Sequence, residues 1–182
     1  MKAELESENA QALACDAPLD SLRAAWPSIR ALWKRCRYVP IASVDEAGNP
    51  HISPIGSVWL HPTEPRGVFL QLYTQRLPRN LDGQPRFTAL LVDNGAMFWL
   101  SSLIRGSFSR PVGVRLHGVA GPRREPTPQE QERFLRVVRP VSWTKGHDLL
   151  WKDKRFFTRD LTFDGATPVR IGAMTKASQI RV

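Results

Sequence analysis

The chain has little of what usually announces a secreted, membrane or metal protein. It holds two cysteines, Cys15 and Cys36, with no Cys-x-x-Cys pair and no histidine nearby at metal-ligand spacing. Neither a disulfide framework nor a metal site is expected. No apolar run approaches the roughly 20 residues that span a bilayer. Glu4, Glu6 and Glu8 fall within Met1–Ala10, where a secretory signal would be basic and then apolar. A reduced, cytoplasmic chain with no membrane attachment fits these absences. Gly-x-Ser-x-Gly, His-Glu-x-x-His, the P-loop and Gly-x-Gly-x-x-Gly are missing too, which removes common hydrolase and nucleotide-binding signatures. The chain has no internal repeat and no low-complexity segment.

Acidic residues are also in short supply. Against 26 Lys and Arg stand 17 Asp and Glu, a net charge of +9, and 20 of the basic residues are arginine. A nucleic-acid binder would gather that charge into one stripe with interleaved aromatics. Here the arginines are scattered from Arg23 to Arg181 among acids, so nucleic acid is not the expected partner. What is present is an apolar content of 42%, enough for a core. One domain over residues 18–182 is expected, behind a polar, Ala-rich tail at 1–17.

Helical periodicity opens the domain. Leu22, Ala25, Trp26, Ile29, Leu32 and Trp33 recur at three- and four-residue steps, with the two tryptophans read as core anchors. Pro27 inside this run predicts a kink or two abutting helices. A hairpin follows: Val39–Val44 and Pro50–Leu60 flank Asp45-Glu-Ala-Gly-Asn49, where Gly48 suits a left-handed turn residue. Alternation places His51, Ser53, Ile55, Ser57 and Trp59 on one face and Ile52, Pro54, Gly56, Val58 and Leu60 on the other. Pro54 and Gly56 are costly inside a plain strand and point to an edge, a bulge or a close approach to the backbone.

Further strands are expected at Leu70–Thr74, Phe87–Val92, Met97–Leu100, Val112–Ala120, Arg159–Phe163 and Pro168–Ala173, with a long Arg/Ser-rich connection at Ser101–Pro111. On Val112–Ala120, Arg115 and His117 take the polar face. Thr127-Pro-Gln-Glu130 reads as a capping box opening a helix that carries Phe134, Val137 and Val138 inward and stops at Pro140. The irregular apolar segment Val141–Lys154 is expected to pack against the barrel. Together these predict a mainly β, α+β fold: a small barrel with helices at its rim.

Chemistry concentrates between Leu70 and Val92. Thr74 at a strand end, the guanidiniums of Arg76 and Arg79 and the amides of a short helical turn at Pro78–Leu81 would suit a phosphate. A solvated basic loop has the same composition, and both alternatives stand at this level. His51 is the histidine best placed for function, although a lone strand histidine is more often a hydrogen-bonded structural residue.

Three pieces in order carry a resemblance: Ile41-Ala-Ser-Val-Asp-Glu-Ala-Gly-Asn-Pro-His-Ile-Ser-Pro-Ile55, Leu72-Tyr-Thr74, and Arg76…Arg79-Asn-Leu81 with Gln84-Pro-Arg86 leading into Thr88–Val92. This order resembles the pyridoxamine 5'-phosphate oxidase-like family of FMN-binding split barrels. The resemblance implies a six-stranded, Greek-key split β-barrel with peripheral helices. It also implies a homodimer with flavin at the subunit interface and a flavin-dependent oxidoreductase acting on a small-molecule substrate or electron donor. By the same resemblance His51, Ser53, Pro54 and Ile55 line the flavin, Tyr73 and Thr74 end the strand beside the phosphate arm, Arg76, Arg79 and Asn80 hold the phosphate, and Arg115 meets the flavin or the dimer seam. Members without turnover (stress or redox proteins) and members holding deazaflavin F420 or haem are the alternatives. Two positions depart from the pattern. Leu77 stands where many members have Lys, and Ser53 stands where the oxidases proper have Arg, which argues against pyridoxal phosphate synthesis.

Overall fold

The computed structural model describes residues 19–72, 75–151 and 155–175; the tail 1–17, Tyr73 and Thr74 lie outside them. The chain opens with α1 (Leu19–Trp33). Its apolar stripe is fully inserted: Leu22, Trp26 and Ile29 are all at 0% exposure. The helix runs through Pro27 as one element, against the expected break. Pro27 sits on the exposed side, where the Arg23 carbonyl that it leaves without a helical donor can turn to water, and packing of the opposite side outweighs the local loss.

Seven strands form one antiparallel sheet: β1 (Val39–Val44), β2 (Pro50–Ile55), β3 (Val58–Leu60), β4 (Arg66–Gln71), β5 (Arg86–Val92), β6 (Gly113–Ala120) and β7 (Phe157–Pro168). Their order is β2-β1-β5-β6-β7-β4-β3, so β2 and β3, neighbours in sequence, occupy opposite edges. Only Gly56 and Ser57 separate them. Ser57 ties the far edge by accepting from the Leu70 amide at 3.2 Å and donating its hydroxyl to the Leu70 carbonyl at 2.8 Å. The sheet therefore curls into a split barrel, with α1 packed into its concave side beside Phe69, Phe87 and Phe163. Among the described residues the strand count is seven, not six, because the expected strand Pro50–Leu60 breaks at Gly56. Pro54, without an N–H, sits on an edge strand where no ladder bond is lost.

Other corrections concern apolar runs of ambiguous period. Met97–Leu100 belongs not to a strand but to α3 (Ala96–Arg105), which ends at Gly106 with φ 67°; Phe98 and Ser102, four apart, are its buried residues, with Trp99 packed partly beside Phe108. Between β4 and β5 lies α2 (Arg76–Gly83), longer than the single turn predicted. The strand expected at Leu70–Thr74 is β4, which starts and ends earlier. Arg159–Phe163 lies within the long β7, whereas beyond Pro168 the chain makes a 3-10 turn at Gly172–Thr175 rather than a strand. The capping box opens α4 (Pro128–Val138) as read, but Val137 is 64% exposed while Phe134 and Val138 are buried. After it, α5 (Lys145–Leu150) leads to Trp151, which joins Trp59, Leu70 and Phe134 in a second apolar cluster. Trp143 and Leu149 stay 85% and 76% exposed, so that segment packs only in part.

Candidate functional site

The register of the first hairpin places the predicted residues. Ser43 pairs with His51, Ile41 with Ser53 and Val39 with Ile55, and cross-strand partners share a face. These six lie on the concave face, where Ile41 and Ile55 are buried in the core and His51 and Ser53 are half-buried toward the turn. The turn is built by Asp45, whose Oδ1 accepts from the amides of Ala47 (3.0 Å) and Asn49 (2.8 Å), with Gly48 at φ 83°.

Helix α2 is seated over this end of the hairpin from two directions. Asn80 Nδ2 donates to Ser43 Oγ at 3.0 Å within the core. From β7, Arg159 donates to Asp82 and to the Gly121 and Pro78 carbonyls. Arg159 is 1% exposed, and such a cation persists only where carboxylate and carbonyls replace its water. Leu77 and Leu81 fill the core beneath. The side chain at the Leu77 position thus packs inward, and Arg76 and Arg79 remain on the exposed side.

Arg76 reaches back to the strand. Its Nη1 lies 3.5 Å from His51 Nδ1, at the outer limit of a hydrogen bond, and His51 Nε2 lies 3.0 Å from Asp45 Oδ2. A guanidinium can only donate, so in this arrangement Nδ1 accepts and the ring proton sits on Nε2, which donates to Asp45. The His51 bond, followed by the Asn49 amide, holds the Asp45 carboxyl at about 2, below its ordinary value. Asp45 joins the candidate site through His51, although the sequence marks it only as part of the turn. The available signal was its place at the mouth of a tight hairpin, six residues before a strand histidine.

Arg115 and Pro54 lie elsewhere. Ala42 pairs with Thr88, Thr88 with His117 and Leu90 with Arg115, and Ala42 alternates with Ser43. Arg115 therefore projects from the convex face, as do Ile52 and Pro54. His117 bridges Thr88 (3.1 Å) and Thr167 (3.0 Å) on that face. The structure thus brings together His51, Ser53, Ile55, Arg76 and Asn80, with Arg79 one turn along α2, and leaves Pro54 and Arg115 on the other side of the sheet. Asn80 differs from its expected role in that its amide nitrogen is engaged by Ser43. An apolar cleft of about 310 Å³ opens past Ile55, lined by Leu72, Phe134 and Trp151 among others.

The donor set on α2 suits a phosphorylated ligand: two exposed guanidiniums at the head of a helix, one of them held by a strand histidine. No curated protein matches the chain in sequence. Solved structures match its fold. An FMN-binding protein from Syntrophomonas wolfei subsp. wolfei is 15% identical with a TM-score of 0.53, over 92% of this chain and 98% of that one. An F420 reductase is 14% identical with a TM-score of 0.51, over 76% and 94%. A protein related to general stress protein 26, of the pyridoxinephosphate oxidase family, from Clostridium acetobutylicum is 15% identical with a TM-score of 0.50, over 81% and 89%. The family model described as pyridoxamine 5'-phosphate oxidase matches residues 25–153, a span running from α1 past α5 and containing both the histidine strand and the arginine helix. The chain belongs to the pyridoxamine 5'-phosphate oxidase family.

Proposed function

We propose that the chain is an FMN-binding oxidoreductase of this family. The phosphate would be held by Arg76 and Arg79 with Thr74, and the ring would lie along His51, Ser53 and Ile55 beside Tyr73. The carrying observation is the Asp45–His51–Arg76 relay, which aims a guanidinium along the strand face and leaves its outer donors free for an anion. Asn80 acts in this reading as a brace that seats α2. Bound flavin supplies the redox chemistry, so the chain need only bind, orient and set the local field. That fits a site that offers, among the described residues, no acid–base constellation beyond the Asp45–His51 pair. The test is to purify the protein without added cofactor and identify its chromophore by absorbance and mass spectrometry. Flavin bands and the mass of FMN are expected. The mass of F420, a Soret band, or a colourless protein that ignores added FMN would each overturn the assignment.

The reading extends to a homodimer through the convex face. Ile52 there is 73% exposed and Val44 38%, and half-buried Ala42, Leu90 and Val92 continue the apolar surface across three strands. A second copy covering it would also bring Pro54 and Arg115 to the subunit interface, across the sheet from the strand face that would line the flavin. Ile52→Glu should then give a monomer in sedimentation analysis; a chain already monomeric without the substitution would sink the dimer.

A further inference from the structure

On the opposite side of the barrel, α4 lies across the outer face of β3 and β4, and a groove of about 700 Å³ opens beside its first turns. Its lining includes the apolar Pro62 and Val68, and Arg133 of α4 stands at its wall with its guanidinium 4.8 Å above the Trp59 ring. Arg133 also borders a second cleft, of about 300 Å³, that contains Lys34 and Arg37. Close to it, Arg30 of α1 donates from Nη1 to the Pro62 carbonyl at 3.0 Å, while its Nε is buried with no hydrogen-bond partner.

The nearby carboxylates are already taken. Arg124 holds both Glu130 (2.8 Å) and Asp160 (2.7 Å), and Glu64 lies 3.4 Å from Arg66. Among the described residues, Arg30, Lys34, Arg37 and Arg133 pair with no carboxylate. Burial and the charge of Arg30 together hold Arg133 below the ordinary arginine value. Arg133 is open to solvent along part of its length, so an anion can reach its guanidinium, and a charge of opposite sign there would offset the repulsion from Arg30. Nothing in the Arg76 site uses these residues.

We propose that this groove is a second ligand site, taking a small amphiphilic anion: a carboxylate or phosphate head on Arg133, with Arg30 close by, and a flat apolar body against Pro62 and Val68. A bare inorganic ion would leave the apolar lining wet, whereas the volume suits an organic ligand of drug or nucleotide size.

Calorimetric titration of the full chain with 2-naphthoate, 2-naphthyl phosphate, neutral 2-naphthalenemethanol and inorganic phosphate tests this. At least one naphthyl anion should bind about tenfold or more tighter than the alcohol, the difference one charge-assisted hydrogen bond makes. The tighter of the two anions identifies the head group. Arg133→Met, which keeps the stem over Trp59, should abolish that preference, and Arg133→Lys should restore much of it. Chromophore content should be the same in all three proteins, which separates this site from the flavin assignment. Equal binding of anion and alcohol, binding of inorganic phosphate as tight as that of the naphthyl anions, no binding of either anion at millimolar concentration, or an Arg133→Met chain that binds like the parent would each overturn the proposal. Should Arg133→Met fail to fold, the anion-against-alcohol comparison on the parent chain still decides.

Discussion

On its barrel side α2 has its polar groups answered, Asn80 by Ser43 and Asp82 by Arg159. On its solvent side Arg76 has only a long contact to His51, and Arg79 stands exposed. The same short helix therefore meets two kinds of arginine, one reaching it from β7 and two of its own. Arg159, inside, is structural: its Nη1 and Nη2 donate to groups the fold supplies, and it could not be stripped of them cheaply. Arg76 and Arg79 satisfy no such need, so their removal should hardly be felt by the fold. A guanidinium that the fold does not require is the one available to a ligand. Arginine content alone could not separate these roles, because both count equally toward the net charge.

The largest expected effect is on binding. Arg76→Ala with Arg79→Ala should weaken FMN by about 3–6 kcal/mol, taking about 1.5–3 kcal/mol for each charged hydrogen bond, while the denaturation midpoint barely moves. Unchanged FMN affinity would remove the phosphate site from α2; a large stability loss would erase the contrast between its two sides. Next comes Asp82→Ala, which leaves Arg159 buried without a carboxylate. Urea unfolding should show a loss of about 3 kcal/mol, the low end for a broken buried pair, because Asp82 itself is open to water. Asn80→Ala should cost about 2 kcal/mol by orphaning the buried Ser43 hydroxyl. If Asn80 served only the phosphate, stability would stay put and FMN affinity alone would fall.

The smallest effect joins the two sides through Asp45. Its carboxyl sits at about 2 in the fold, against roughly 3.9 for a free aspartate. The folded state thus keeps the charge while the unfolded chain takes up a proton. The stabilisation is complete above pH about 4 and is lost as the pH falls from there through 2. Thermal midpoints of the parent and Asp45→Asn should differ at pH 6 and converge toward pH 2.5; a gap that stays constant would mean the His51 bond contributes nothing.

Features that depend on neighbours in sequence were legible without a structure. The α1 stripe, the Gly48 turn, the Thr127–Glu130 capping box and the alternation of His51, Ser53 and Ile55 all follow from periods and torsions that a few adjacent residues set for themselves. The family order from Ile41 to Val92 was legible for the same reason. Helix or strand at Met97–Leu100 was not, since four successive apolar residues suit either until it is known which of them is covered.

Long-range pairing decided the rest. Arg115 and His51 look alike as polar residues on strands, and only the register of β1 with β5 and β6 places them on opposite faces. Asn80 reads as a ligand contact until Ser43, 37 residues away, is seen to accept its amide. Local chemistry can name a residue able to bind an anion. Whether the fold has already claimed that residue depends on partners that folding brings together from distant parts of the chain.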